Sequence, residues 1–493
     1  MSNKELQIKN GFIYLLPMIV SNLLPFMALP VFTRILTSED YGVLALAQIY
    51  AILLSGLANL GMTVAYDRNF FQFRDKHQET AQLLYSTLLF VMINFLILST
   101  LTYFFRGMLS KFIIGSSEKG NILFWALCAQ FFQSINYYYL AYFKNSEIAD
   151  RYSFYTILFS LIDIFIALFL IAYLRIGVIG LVYAQFCSAI IVFCVLSYKF
   201  INKLPPSLNK TIFYDSLKIA YPLTPRIFLG VINTQFDKYM IGLLASIGGV
   251  GIYSIGQKIS DATWSLMNTI HNVYYPQVYK KMFSLGEKGG EEVGRYLTPF
   301  FYASLAGALM VALFSEEVII LMTPELYHGA IDIVIILSMS YGCLFFGMQP
   351  QLVFAKRTHI ISILFVSRII VTVAFNIPFI LKWGAIGAAW ATFLAGLISG
   401  AISFIVGQHY YEVKWEYRRV AAIFLTLLGS SLLMIVLRDA MITYPFRLAV
   451  KMISLSLYAY IGVKIRVITS ENWALVKNVL GGFSSRKEKY RGA

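Results

Sequence analysis

Four basic residues, Arg226, Lys258, Arg368 and Lys451, fall inside long apolar runs. An ionised side chain at such a place is expensive unless it faces protein or water. Arg368, near the middle of its run, therefore needs a partner or an aqueous path, and the polar residues near Arg226 and Lys258 fall into helical registers. At roughly 100° per residue, Gln48, Ser55, Asn59 and Tyr66 stay on one face of their segment. Lys258, Asp261, Asn268 and Asn272, with Ser254 and Ser265, do the same further along the chain, next to Gln257. Arg226, Asn233 and Asp237, at spacings of 7 and 4, make a third face. Such stripes either line a water-filled cavity or join helices by hydrogen bonds and an internal ion pair, for which Lys258 and Asp261 are suitably spaced. Asp237, Asp261 and Asp163 are candidate proton or sodium sites, with a buried ion pair as the other reading of Asp163 and Asp332. Arg34 and Arg68, at the ends of apolar runs, either touch a substrate or snorkel to headgroups. His271 stands alone at a rim and reads as structural.

The elements that must position these residues are set by composition. The chain has 493 residues, 58% hydrophobic and 13% charged, with a mean hydropathy of +0.69. A buried core of this length cannot hide that much apolar surface, so a soluble enzyme is excluded and an all-α integral membrane protein is expected. Runs of about 20 apolar residues, enough to cross a hydrocarbon layer, give about fourteen spans. Six lie between 11 and 198, the second of them at 43–65, six between 216 and 407, and the last two at 420–437 and 447–464. Prolines at 17, 25 and 30 and at 222 and 225 are expected to bend or break the first span of each set of six.

Net charge is +15, from 40 Lys and Arg against 25 Asp and Glu. With the N-terminus inside, 27 of the basic residues fall on inner segments and 9 on outer ones, the bias of cytoplasmic loops. Both termini are thus expected in the cytoplasm, and nucleic acid is not an expected partner. Cys128, Cys187, Cys194 and Cys343 sit in apolar runs without metal-ligand or disulfide spacing and read as packing residues. The tail from Glu471, ending in Arg486, Lys487, Lys489 and Arg491, reads as an interfacial helix against anionic lipid.

An internal repeat emerges by direct comparison. LRIGVIGLVYAQF (174–186) aligns without a gap on LKWGAIGAAWATF (381–393), at an offset of 207. YGVLALAQ (41–48) aligns on VGIYSIGQ (250–257) at 209, an offset that also carries Asn59 onto Asn268. Two parallel six-helix repeats follow, with domains at 1–204, 205–412 and 413–493, the last holding two extra helices and the basic tail. Parallel repeats of this kind are expected around a pseudo-two-fold along the membrane normal, a transporter architecture. No P-loop, HExxH or G-x-S-x-G appears in a suitable context, the connecting segments are short, and no cofactor is expected.

The runs FTRILTSEDYGVLALAQ (32–48), YPLTPRIFLGVINTQFDKYMIGLLASIGGVGIYSIGQKIS (221–260), TPELYHGA (323–330) and FAKRTHIIS (354–362) resemble the polysaccharide flippases of the Wzx type. These belong to the MATE-like multidrug/oligosaccharidyl-lipid/polysaccharide exporter superfamily. The resemblance covers nearly the whole chain. It implies two six-helix lobes forming a V-shaped cavity, a bacterial inner-membrane location, and alternating access driven by a proton or sodium gradient. The implied substrate is an oligosaccharide repeat unit on a polyprenyl pyrophosphate carrier, with membrane lipids and a polysaccharide polymerase or assembly machinery as further partners. Arg226, Lys258 and Arg368, with Arg34, Arg68, Asn59, Asn268, Gln48 and Gln257, are then the expected substrate contacts. A cation-coupled drug exporter of the same fold is the main alternative, although such exporters favour acidic cavities. A membrane polymerase is the other, although it should carry a large outer loop.

Overall fold

The computed structural model describes residues 3–74, 76–347 and 350–467, so the basic tail read as an interfacial helix lies outside the described residues. The described chain is helical throughout. In order the helices are α1 (Asn3–Ile35), α2 (Ser38–Asn59), α3 (Met62–Phe73), α4 (His77–Ile113), α5 (Gly120–Asn145), α6 (Ala149–Leu168), α7 (Ile179–Lys203) and α8 (Lys210–Leu244). There follow α9 (Ile247–Leu285), α10 (Gly289–Leu313), α11 (Ser315–Met322), α12 (Ala330–Cys343), α13 (Pro350–Phe354), α14 (Thr358–Tyr410), α15 (Tyr417–Asp439) and α16 (Tyr444–Lys464). Among the described residues ten helices are long and apolar enough to cross a membrane, and α14, at 53 residues, is long enough for two crossings. The helices α5, α8 and α9, also read as spans, are as long but more polar.

Local chemistry sets the helix ends. Thr37 and Asp40 close a reciprocal capping box at the start of α2. The Thr37 hydroxyl accepts from the Asp40 amide at 3.2 Å, and the Asp40 carboxylate accepts from the Thr37 amide at 3.0 Å. At the other end Leu60 and Gly61 take left-handed conformations (φ 43° and 78°), so the span expected at 43–65 stops at Asn59 and α3 begins as a separate helix. The side chain of Asn209 caps α8 by accepting from the amides of Thr211 and Ile212.

Of the two outcomes expected of the prolines, bending or breaking, breaking does not occur. Pro17, Pro25 and Pro30 lie inside α1, and Pro222 and Pro225 inside α8. Pro17 has no N–H for the carbonyl of Ile13, and the Ser153 hydroxyl of α6 donates to that carbonyl at 2.7 Å instead. A second polar contact along the same pair, Ser21 Oγ to Ser160 Oγ at 2.7 Å, holds α1 on α6.

The internal repeat is visible in the backbone. Gly177 and Gly384, matched by the 207 offset, both have positive φ, 74° and 59°. Gly177 turns the chain from α6 into α7. Gly384 is the non-helical joint inside α14, which is therefore two helices, each about the length of a span, meeting at a glycine.

By packing, the chain forms two compact units whose limits differ from those of the repeat. The first runs to Ser254 and takes in Ile320–His328; the second takes Ile255–Ile319 and the described chain from Gly329 on. The boundary moves past 204 because α8, the first helix of the second repeat, packs on α2, α3 and α4. The core of the first unit is an aromatic cluster of Tyr66, Phe70, Tyr138, Tyr142, Phe143 and Phe200 with the aliphatic residues of α4 and α7. Within this unit α2 meets the start of α9 at a glycine-only crossing. A Cβ on Gly42 would lie 1.9 Å from the Ile247 carbonyl oxygen, and one on Gly251 would lie 1.9 Å from the Ser38 carbonyl oxygen.

In the second unit α10 packs on α12, α15 and α16, and α12 on α14. Tyr302 and Tyr458 tie α10 to α16 by donating to each other's carbonyl, at 3.1 and 2.7 Å, with their rings stacked.

Candidate functional site

Polar side chains inside the spans separate into three kinds by what they touch. Asn59 belongs to the first kind. It is 8% exposed, and its amide donates to the Ser134 hydroxyl at 2.8 Å and the Ser55 carbonyl at 2.8 Å while its oxygen accepts from Tyr138 at 2.7 Å. Two of these bonds join α2 to α5, and the third stays within α2. At that point the polar stripe of α2 joins helices by hydrogen bonds. Gln48, one face-turn earlier, is half-buried. Asp163 likewise joins helices, accepting from the fully buried Ser188 of α7 at 3.2 Å.

The second kind consists of buried ion pairs that sequence spacing did not reveal. Lys451 of α16 has no exposed surface and donates to Glu316 at 3.0 Å and to Glu317 at 2.6 Å, both on α11. Arg447 pairs with the other oxygen of Glu316 at 2.5 Å. Asp332 of α12 pairs with Arg438 of α15, which decides between the two readings of Asp332 in favour of the ion pair. Charges balance within each group, and together they clasp the appended helices α15 and α16 to the second unit. The signals in the sequence were Lys451, as a cation inside a span, and Asp332, for which an ion pair was one of two readings.

The third kind is exposed or half-buried within a span. In the first unit Arg226 is exposed on α8, and Asn233 and Asp237 on the same face are half-buried. Asp237 accepts from the hydroxyl of Tyr253 at 2.9 Å, a partner not foreseen. Arg34 and Arg68 are exposed too. Arg34 donates to the Pro30 carbonyl at 2.7 Å, and Arg68, on the short helix α3, donates to Asn69 at 2.6 Å and Gln72 at 3.0 Å. In the second unit Lys258 and Asp261 are exposed on α9 and Gln257 and Asn268 half-buried. The Tyr341 hydroxyl donates to Asp261 at 3.1 Å. The Oε1 atom of Gln257 is buried without a hydrogen-bond partner. Arg368, half-buried on the first half of α14, lines a cavity of about 170 Å³ within this unit.

A helix that crosses hydrocarbon keeps exposed cations only where they serve water, headgroups or an anionic cargo. Arg226 on α8 and Lys258 on α9 are exposed, one in each unit.

Comparison with known proteins places these features. Residues 8–282 match the family of polysaccharide biosynthesis proteins. The chain belongs to this family. The match ends within α9, so it holds the whole first repeat together with α8 and its Arg226, and Lys258 and Asp261 as well. No curated protein matches the chain in sequence. Among solved structures, the lipid II flippase MurJ in an inward closed conformation superposes with a TM-score of 0.66 at 16% identity, covering 93% of this chain and 100% of the other. An inward-facing multidrug resistance MATE family transporter of the MOP superfamily gives 0.60 at 16% identity, covering 84% and 98%. The Vibrio cholerae MATE transporter VcmN gives 0.53 at 16%, covering 82% and 96%. These likenesses show the fold: this member of the family has the architecture of the MOP-superfamily transporters and is a multi-pass membrane protein.

Proposed function

We propose that the chain is a flippase that carries oligosaccharide repeat units on a polyprenyl pyrophosphate carrier from the cytoplasmic to the outer leaflet of a bacterial inner membrane, with both termini cytoplasmic. The observation that carries the reading is the pair of exposed cations on the long helices α8 and α9, Arg226 and Lys258, in a member of the polysaccharide biosynthesis family. A pyrophosphate cannot enter hydrocarbon unaided, because the Born penalty for its charge is large. A guanidinium and an ammonium on the route offset that penalty, while the polyprenyl tail stays in lipid. The fold is shared with a protein whose name is lipid II flippase, a coincidence of architecture that fits the same class of cargo. Arg34, Arg68, Gln48, Gln257, Asn268 and Arg368 are secondary contacts in this account. Asp237 and Asp261, each held by one tyrosine, are the first candidates for proton or sodium coupling, with Asp163 behind them.

Complementation tests the reading. In a strain lacking its own repeat-unit flippase, the wild-type chain restores surface polysaccharide, and Arg226→Ala or Lys258→Ala does not, at equal abundance in the membrane. Full restoration by both variants would overturn the cationic route.

A further inference from the structure

The two halves of α14 meet with unlike surfaces. The first half presents Leu364, Phe365 and Arg368, spaced 1 and 3; the second presents Ser399, Gly400 and Ser403 in the same register. Large side chains opposite small ones leave the cavity of about 170 Å³ between them, far more than the ~10–15 Å³ that one water needs. Its chemistry is specific. Arg368 contributes the charge, and a guanidinium presents paired N–H donors that match phosphate oxygens. Ser399 is 7% exposed, lines the cavity, and its hydroxyl is buried without a hydrogen-bond partner. A buried donor left unsatisfied is destabilising, so an oxygen-rich guest is favoured at the Ser399 wall. Gly400 also borders an apolar groove of about 400 Å³, walled by Phe404, Tyr417 and Phe424. A charged compartment thus adjoins an oily one at a single glycine.

We propose that this cavity binds the phosphate of a membrane lipid, with Arg368 as the anion contact, the Ser399 hydroxyl as a hydrogen-bond donor and the groove beyond Gly400 holding a hydrocarbon chain. The site lies wholly within the second unit and goes beyond the flippase reading: it is a place for a resident lipid whether or not that lipid is the cargo. Two sources share the chemistry, a bulk anionic phospholipid and the polyprenyl phosphate carrier.

Native mass spectrometry of the full chain in detergent, offered phosphatidylglycerol, polyprenyl phosphate or diacylglycerol, tests it. The wild type retains one phosphate-bearing lipid and releases diacylglycerol. Arg368→Gln lowers the retained fraction at least tenfold, and so does Ser399→Leu, which fills the cavity from the opposite wall and leaves the arginine in place. Retention of phosphatidylglycerol identifies a bulk lipid, and retention of polyprenyl phosphate alone identifies the carrier. A photoactivatable lipid phosphate on the unmodified chain gives a readout free of mutation, labelling residues 361–368 and 396–403. Equal retention by both variants, equal retention of diacylglycerol, or photolabelling elsewhere overturns the site. A chain that translocates no lipid-linked sugar yet still holds lipid at Arg368 would refute the flippase reading and leave this site standing.

Discussion

Gly42 and Gly251 stand in reciprocal contact: the Cα of each faces a carbonyl oxygen that a Cβ would approach to 1.9 Å, that of Ile247 for Gly42 and that of Ser38 for Gly251. Positions 38 and 247, like 42 and 251, are separated by the 209 residues of the internal repeat. The contact is therefore isologous, the kind a two-fold produces between equivalent surfaces. Only glycine allows backbones this close.

Overpacking of backbone against backbone has no flexible side chain to yield. Gly42→Ala and Gly251→Ala should each lower the melting temperature, by the same amount within error because the two environments are equivalent. The expected cost is at least the ~1–3 kcal/mol typical of added methyl groups in packed sites. Thermal unfolding of the two purified variants measures it, and a loss in only one of them would contradict the symmetry.

The same crossing is suited to a covalent probe. A Cβ on Gly248 would lie 4.0 Å from the Cβ of Ser38, within the ~3.5–4.5 Å span of disulfides. Ser38→Cys with Gly248→Cys should oxidise to an internal disulfide in isolated membranes, read as a reductant-sensitive change in gel mobility after cleavage between the two helices. If the crossing parts during transport, the oxidised protein stops flipping and reductant restores it.

The clasp of α16 should govern stability and respond to acid. Lys451→Met strands Glu316 and Glu317 in a buried site, and breaking a buried pair in this way costs about 3–5 kcal/mol. Burial raises the Glu316 carboxyl, but hydrogen bonds and charge from Lys451 and Arg447 outweigh it and hold the pKa below the ordinary value. A carboxylate depressed in the folded state stabilises fully above its unfolded pKa, about 4.3, and that stability is lost as pH falls through the folded value. Melting scans from pH 7 to pH 3 should show the wild type losing stability below about pH 4. Glu316→Gln should begin less stable and lose less.

Asn59 offers a contrast between structure and transport. Asn59→Ala removes the hub that Ser134 and Tyr138 share, with an expected loss of about 1–3 kcal/mol. Tyr138→Phe should lose less, since it removes one bond. Both variants should flip at the wild-type rate per folded molecule, which a transport assay normalised to folded protein would check.

How far the sequence disclosed this molecule depends on the distance between partners. The repeat was legible because equivalent glycines recur at fixed offsets, and Gly177 and Gly384 do both take a positive φ. The polar stripe containing Asn59 was legible as a stripe, but periodicity places a residue on a face without saying what covers that face, and Ser134 and Tyr138 lie 75 and 79 residues away. The clasp was invisible for the same reason, with 135 residues between Glu316 and Lys451. The end of α2 was misjudged because hydropathy continues smoothly past Leu60, where the backbone turns left-handed. A proline in the sequence marks a missing N–H but not what becomes of the orphaned carbonyl, and for Pro17 it is Ser153, far along the chain, that supplies the donor.

The central claim is translocation of a lipid-linked sugar along a route served by Arg226 and Lys258. Its most direct test is reconstitution of the purified chain in liposomes containing a fluorescent oligosaccharide on polyprenyl pyrophosphate, with loss of fluorescence to an impermeant quencher reporting arrival in the exposed leaflet. The account predicts transfer by the wild type and at least a tenfold slower rate for Arg226→Ala and Lys258→Ala at unchanged melting temperature. Equal rates for the variants, or no transfer by a folded wild type that exports small cationic compounds instead, would contradict it.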